Sequence, residues 1–513
     1  MKKFRIAQVG SFDVENYGDL LFSYVFKENI EKYLEDMDIT LFAPLNCISP
    51  FTKDTQVYSV KEMEKMHSEN PFDAIVVGGG DLVQFKKIMV KLCDDPDREV
   101  VYDVLSMWFI PAMVAMTYQV PIIWNSLGVP FELSDIQQQL MAEVMKQSAY
   151  VTVRDESSRE NLGKAASALD VKVVTDSILS IAKTVDYKDM QSRFENVYKN
   201  LDVEFNKDSY IVVHVNKNIK DDEGKILCEQ LNAIKEKHGV DVVLMPIGYT
   251  LGDDMGITKL KSMEDGFVQI KKKLAPYDMM SVIANAKFYI GASLHGCVTS
   301  TAFKIPNIVY NYSKLNKIEG FLSNVKRDYA ALYDPKKLAQ CYDEVASMEM
   351  PDIQKPLQDI EEHFKKMAEV IKEGRKKETK ISNETLDEII YNESVYSKEA
   401  QYYKKITEQK DVHIKNIEAT VVDRENRLQT EKAKRKAFEE NANTKIEQLE
   451  TQITEKDDHI SNLQGIIETY KKEIENLRKA VDDQVKEKEA ILNSTSYKIT
   501  KPLRKVSSIT KKK

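Results

Sequence analysis

The chain has 513 residues, 42% of them hydrophobic and 30% charged, with a formal net charge of -8. That length exceeds one ordinary core and calls for two globular domains plus further segments. The modest, interleaved charge excludes a nucleic-acid-binding front half, and the scattered cysteines Cys47, Cys93, Cys228, Cys297 and Cys341, with no CxxC pair, exclude a cysteine metal knuckle and fit reduced cytosolic thiols.

In chain order, "MKKFRIAQVGSF" lacks the apolar run of a signal peptide, because Gln8, Gly10 and Ser11 interrupt it. "FRIAQVG" reads instead as a first strand. It leads through the polar loop "SFDVENYGD" into a helix carrying Leu21, Tyr24, Val25, Ile30 and Leu34 at helical spacing. "ITLFAPL", "DAIVVGGGD", "VPIIWNSLG", "AYVTVRD" and "VKVVTDS" follow as strand-length runs, each closing on small or polar residues. Their alternation with helical segments is the signature of parallel βαβ units. The run "MWFIPAMVAMTYQVPIIW" holds Pro111, Gln119 and Pro121, so it reads as a buried helix followed by a strand rather than a membrane span. After a polar stretch near residues 185–208, "SYIVVHVNKN", "VDVVLMPIGY", "AKFYIGASLHG" and "PNIVYNYSK" repeat the pattern.

Ligands of open α/β sheets sit beyond the carboxyl ends of the strands, where these loops emerge. The predicted fold class is therefore α/β, with two Rossmann-like domains facing a cleft. Past Pro351, Leu357, Ile360, Phe364, Met367 and Ile371 share one helical face suited to packing on the globular part. Farther on, Ile446, Ile453, Ile460, Ile467, Ile474 and Val481 recur every seven residues, with Leu449, Leu463, Tyr470 and Leu477 three positions later. β-branched residues at a with Leu at d favour a parallel two-stranded coiled coil, weakened by Lys456 and Gln484. A solvated single helix is the plainer alternative, and an earlier seam, Ile414, Ile417, Val421 and Leu428, is out of phase with the later one. The expected organisation is 1–185 and 186–345 as the two Rossmann-like domains, 346–400 as a helical linker, 401–492 as coiled coil and 493–513 as a basic tail. That tail, "KPLRKVSSITKKK" at its end, either touches anionic lipid or stays solvated.

Several loops carry candidate chemistry. Gly78, Gly79, Gly80 and Asp81 follow a strand directly, either to let backbone amides approach a ligand or to make a tight turn. In "NYGD", Asn16, Gly18 and Asp19 open a helix whose amides could face an anion or sugar hydroxyls, unless Asp19 is simply an N-cap. Arg154 and Asp155 end a strand, as an anion clamp or a surface pair, with Ser157 available to cap the next helix. His295 stands past "AKFYI", with Gly296 beside it and Thr299, Ser300 and Thr301 in the turns that follow. It is either a proton-transfer group or a satisfied core histidine. His214 ends another strand. No G-x-S-x-G, H-E-x-x-H or metal-spaced cluster is present, so metal-free catalysis is the economical expectation.

Taken in order, "NYGD", "GGGD", "SLGVPF", "VRDESS", "TDS", "SLHG" and "IPNIVYNYSKLNKIEGF" resemble the polysaccharide pyruvyl transferase family over roughly residues 4–330. The resemblance implies a fold like the GT-B glycosyltransferases and transfer of a pyruvyl group from phosphoenolpyruvate to a sugar of a cell-surface polysaccharide, forming a ketal, with no cofactor. The family's histidine maps on His295, its strand-end arginine on Arg154 and its lysine before "GF" on Lys317. Asn16, Gly18, Asp19, Gly78, Gly79, Gly80, Asp81, Ser293, Leu294 and Gly296 would bind substrate. Many members carry arginine where this chain has Ser293, so that charge is missing or supplied elsewhere. The segment "ILNSTSYKITKPLRKV" is similar to the ends of some bacterial polysaccharide glycosyltransferases, which implies a cytoplasmic enzyme, either free or held at the inner membrane face by the basic tail, acting on a glycan acceptor that can be lipid-linked. A homodimer through the coiled coil is expected, with no nucleic-acid partner. Two readings stay open beside this one: a nucleotide-sugar glycosyltransferase of the same fold, and an inactive scaffold recruiting polysaccharide enzymes through its coiled coil.

Overall fold

The computed structural model describes residues 3–49, 54–91, 99–167, 169–374, 383–496 and 498–500. Its contacts divide the chain into two units, Met1–Ala400 and Gln401–Lys513.

The first unit holds two parallel sheets. Its strands begin with β1 (Phe4–Val9), β2 (Met37–Ala43), β3 (Cys47–Ile48), β4 (Gln56–Ser59) and β5 (Ala74–Gly78). An antiparallel pair set apart from the sheet follows, β6 (Lys87–Lys91) and β7 (Glu99–Asp103), and then β8 (Ile122–Leu127), β9 (Tyr150–Val153) and β10 (Lys172–Val173). The eight-stranded sheet runs β10-β9-β8-β5-β1-β2-β4-β3, parallel except at the β3–β4 edge. The second sheet is made of β11 (Tyr210–His214), β12 (Asp241–Leu244), β13 (Val268–Gln269), β14 (Phe288–Gly291), β15 (Asn307–Tyr310) and β16 (Ala331–Leu332). Its order is β13-β12-β11-β14-β15-β16, parallel throughout. The central strands "AIVV" and "YIVVH" are buried along their whole length, as strands covered by helices on both faces must be.

Five helices matter below: α1 (Tyr17–Ile30), α2 (Leu294–Ala302), α3 (Asn316–Asn324), α4 (Gln354–Glu373) and α5 (Asn383–Asn493). α4 turns the seam Leu357, Ile360, Phe364, Met367 and Ile371 inward, and it returns from the second sheet to pack on the first half. Phe364 meets Phe26 of α1 with ring centroids 6.2 Å apart. His363 reaches β8 and β9: its Nε2 pairs with Oδ1 of Asn125 at 2.8 Å, and the Tyr150 hydroxyl lies 3.1 Å from Nδ1. One nitrogen donating and the other accepting suits a neutral ring, and burial pushes its pKa down to about 3.

The segment Met107–Trp124 forms a helix, Ser106–Tyr118 with Pro111 inside it, followed by β8. Among the described residues no helix is long and apolar enough to cross a membrane. Cys228, Cys297 and Cys341 are free thiols, whereas Cys93 and the basic residues Lys501, Arg504, Lys505, Lys511, Lys512 and Lys513 lie outside the described residues. The helix α5 is continuous across residues 430–445, so the change of heptad phase falls within an unbroken helix. Its seam residues Ile446, Leu449, Ile453, Ile460 and Leu463 are all exposed on the single chain.

Phe364 is fully buried and fills the joint between α4 and α1. Phe364→Ala should cost about 3–5 kcal/mol in urea unfolding of residues 1–400. A loss below about 1 kcal/mol would mean that the α4 joint closes over the cavity or bears little of the stability.

Candidate functional site

Each sheet has one place where successive connections leave in opposite directions, between β1 and β5 in the first and between β11 and β14 in the second. Such switch points open crevices at the carboxyl ends of the strands. The first crevice is lined by the loop after β1, which carries "NYGD", and by Gly79–Asp81 after β5. The second is lined by the residues after His214 and by Gly291–His295 after β14.

The "NYGD" turn ties the two crevices together. Asn16, whose side chain accepts from the Gly18 amide at 3.3 Å, is the N-cap of α1; Asp19, the sequence's candidate for that position, lies in the first turn. Asn16 bridges Gly248, the Tyr17 amide donates to the Ile247 carbonyl at 3.2 Å, and the Tyr17 hydroxyl shares a hydrogen bond with Thr299 at 2.7 Å. Gly18 then lies directly against the imidazole of His295, where a Cβ would fall inside the ring. Phe22, one turn on, meets the same ring edge-on with centroids 5.5 Å apart.

His295 sits in the first turn of α2. Its Nε2 is buried and, among the described residues, has no hydrogen-bond partner; it lies 3.6 Å from Oδ2 of Asp176, which has none there either. Burial, together with the positive charges of Lys317 and Arg154, pushes the histidine down to about 3, with Asp81 opposing. Burial pushes Asp176 up to about 6, against the Ile178 amide and Arg154. Asp19 is half-buried, and desolvation pushes it up to about 7, with Lys317 opposing and Asp81 reinforcing the rise.

Arg154 and Lys317 come from opposite halves, the first from the end of β9 and the second from the first turn of α3. Asp81 joins them: Nη2 of Arg154 donates to Oδ1, and Nζ of Lys317 to Oδ2 at 3.0 Å. Burial favours the protonated form of Asp81, yet the two cations outweigh it and hold the carboxyl well below the usual carboxylate range. Arg154 also donates from Nε to Asp155 at 3.1 Å. Asp155, rather than Ser157, is the N-cap of the following helix, accepting from the Ser158 amide at 2.7 Å.

Asn16, Gly18, Asp19, Gly80, Asp81, Arg154, Lys317 and His295 are thus gathered at one interface between the halves. Other candidates face elsewhere. Gly78 is pressed against Asn125, and Gly79, at φ +89, against Phe22, so both glycines are used by close packing of the chain on itself. The Ser293 side chain accepts the Gly296 amide at 3.4 Å, which takes up one donor at the start of α2. Leu294 is buried, and Gly296 leaves room for the Tyr289 hydroxyl. Thr299, Ser300 and Thr301 are buried, with Thr299 paired to Tyr17, Ser300 to the Gly296 and Cys297 carbonyls and Thr301 to Asn307. His214 pairs with Asp253 at 2.8 Å in the second half. Asp176 is the residue that the loop-by-loop reading passed over. Its signal was the strand-end "TDS", which alone does not say that the aspartate will meet a histidine more than a hundred positions away.

Residues 16–314 match the sequence profile of the polysaccharide pyruvyl transferase family. No curated protein matches the chain. Among solved structures, the UDP-GlcNAc 2-epimerase of Methanocaldococcus jannaschii is 12% identical with a TM-score of 0.46, covering 73% of this chain and 100% of that one. S. aureus MnaA with UDP is 11% identical, with a TM-score of 0.45 and coverages of 73% and 96%. Anabaena Alr3699/HepE with UDP and glucose is 10% identical, with a TM-score of 0.41 and coverages of 78% and 100%.

Both His295 and His363 are held neutral in the folded chain, whereas an unfolded histidine takes up its proton near pH 6.5. Their contribution to stability is therefore fully present above about pH 6.5 and is lost as pH falls toward their folded values. In protein labelled with ring-¹³C histidine, the His295 and His363 resonances, assigned by His295→Gln and His363→Gln, should stay flat from pH 8 to 5. A midpoint near 6.5 for either would contradict its buried, neutral placement.

Proposed function

Because the chain belongs to the polysaccharide pyruvyl transferase family, we propose that it moves a pyruvyl group from phosphoenolpyruvate to two hydroxyls of one sugar in a cell-surface polysaccharide, forming a ketal. The observation carrying this reading is the meeting of a largely buried histidine, His295, with two cations, Arg154 and Lys317, supplied by opposite halves. A donor bearing both a carboxylate and a phosphate needs such a pair, and an enol needs a proton source beside it.

The chemistry balances as follows. A proton from His295 goes to the methylene carbon of the enol, making the neighbouring carbon electrophilic. One sugar hydroxyl adds to that carbon, the bond to phosphate breaks, and the second hydroxyl completes the ketal. Of the two hydroxyl protons, one restores His295 and the other leaves on phosphate. Arg154 and Lys317 would hold the donor's anionic groups and stabilise the departing phosphate.

Those same cations help to keep His295 neutral. A bound donor cancels their charge, so binding itself would favour protonation of the ring. Asp176, 3.6 Å from Nε2, is placed to steady the imidazolium that forms. No cofactor enters this scheme.

The same proposal covers assembly and location. The exposed heptad seam of α5 would pair with a second copy of the chain in parallel. That orientation sets Lys445 against Glu450 and Glu473 against Arg478 across the g and e positions. The basic C-terminal tail would then hold a cytoplasmic dimer against anionic lipid at the inner membrane face, within reach of a lipid-linked glycan.

His295→Ala should slow phosphate release from phosphoenolpyruvate plus acceptor glycan by at least about 100-fold while thermal melting stays near wild type; an unchanged rate would remove His295 from the mechanism. Truncation after Ala400 should turn the dimer into a monomer by light scattering, lowering the mass by more than half, and leave the melting of the remaining unit in place. An unchanged oligomeric state would remove α5 as the dimer seam.

A further inference from the structure

The cations of the proposed donor site are not free. Asp81 offers one carboxylate oxygen to Arg154 and the other to Lys317, the arrangement that a ligand carboxylate or phosphate would adopt between them. The three side chains differ in access: Arg154 is 4% exposed, Asp81 21% and Lys317 33%. Solvent therefore reaches the cluster from the Lys317 side. On the opposite side the backbone of Gly128 closes in, since a Cβ there would lie 2.6 Å from Oδ1 of Asp81 and 2.7 Å from Cζ of Arg154.

Arg154 has two acidic partners, and they are anchored differently. Asp155 is fixed by the Ser158 amide at 2.7 Å and the Ser157 hydroxyl at 3.0 Å, so it is tied to its own helix start. The Asp81 carboxylate, among the described residues, is held only by the two cations. Counting formal charges on these four groups, two cations and two carboxylates cancel. The cleft has no surplus positive charge unless one carboxylate leaves.

We propose that Asp81 is a built-in counter-ion that sets which ligands the cleft accepts: an anion enters by taking the place of the Asp81 carboxylate on Lys317 and Arg154. The consequence is selectivity for ligands with at least two negative charges, because a single weak anion gains nothing over the carboxylate already present. Only the identity of the ligand rests on the pyruvyl-transfer reading; the exchange itself does not.

Titration calorimetry on the full-length protein tests this with inorganic phosphate, oxalate and phosphoenolpyruvate as probes. Asp81→Asn keeps the shape and removes the charge, and it should bind phosphate and oxalate about tenfold more tightly than wild type, one charge-pair's worth. Adding Lys317→Ala to that variant should abolish the gain. Asp81→Ser, smaller and also uncharged, should show the same tightening and serves if the asparagine variant does not fold. Unchanged or weaker binding of both anions in a folded Asp81 variant overturns the proposal. Tighter phosphate and oxalate binding with no preference for phosphoenolpyruvate would support the exchange and remove the donor reading. Selective phosphoenolpyruvate binding that Asp81→Asn does not improve would do the reverse.

Discussion

Everything in the cleft depends on how closely the first turn of α1 approaches His295. The contact requires glycine at position 18, because any side chain there would occupy the space of the imidazole. It is also fastened from both sides: the Tyr17 amide is held by Ile247, its hydroxyl by Thr299, and Asn16 by Gly248. Two halves that could otherwise move as separate bodies are thereby locked at the point where their switch crevices meet. A histidine at the start of a helix would ordinarily be hydrated. Here the same lock strips its water, which makes it a neutral base at rest.

The electrostatics follow from that dehydration. A buried cluster can hold several charges only if they cancel, and this one pairs Arg154 and Lys317 with Asp81 and Asp155 while Asp19 and Asp176 are pushed up toward neutrality. The result is a site in which the charges of Arg154, Lys317, Asp81 and Asp155 balance. Histidine and aspartate stand 3.6 Å apart with neither polar atom bonded. That spacing is unsatisfied at rest and becomes favourable once the ring is protonated, so the site stores its readiness in an unmade bond.

Much of the α/β architecture was legible because parallel strands buried on both faces leave unbroken apolar runs, as "AIVV" and "YIVVH" do. The short strands β13 and β16 and the β6–β7 hairpin left no such trace, being two residues long or set apart from the sheets. At the site, local chemistry identified the loops but not their use. In "NYGD" the sequence's cap candidate was Asp19, and the chain uses Asn16 instead. "GGGD" looked like one unit, yet Gly78 and Gly79 serve packing while Asp81 bridges the halves. The Asp176–His295 pairing was out of reach, because it depends on the relative placement of the two sheets. That placement is set by long-range contacts such as Tyr17 with Ile247 and Thr299, which no window of sequence contains.

The central claim is that this cleft builds a ketal from phosphoenolpyruvate. Its most direct test is ¹³C NMR of a reaction containing the full-length protein, phosphoenolpyruvate labelled at the carbon bearing the phosphate, and the surface glycan of the host stripped of acid-labile groups. The account predicts that the label moves to a quaternary ketal carbon on the glycan as phosphate appears in equal amount. Label that stays in phosphoenolpyruvate, or that emerges as free pyruvate with no carbon on the glycan, would contradict it.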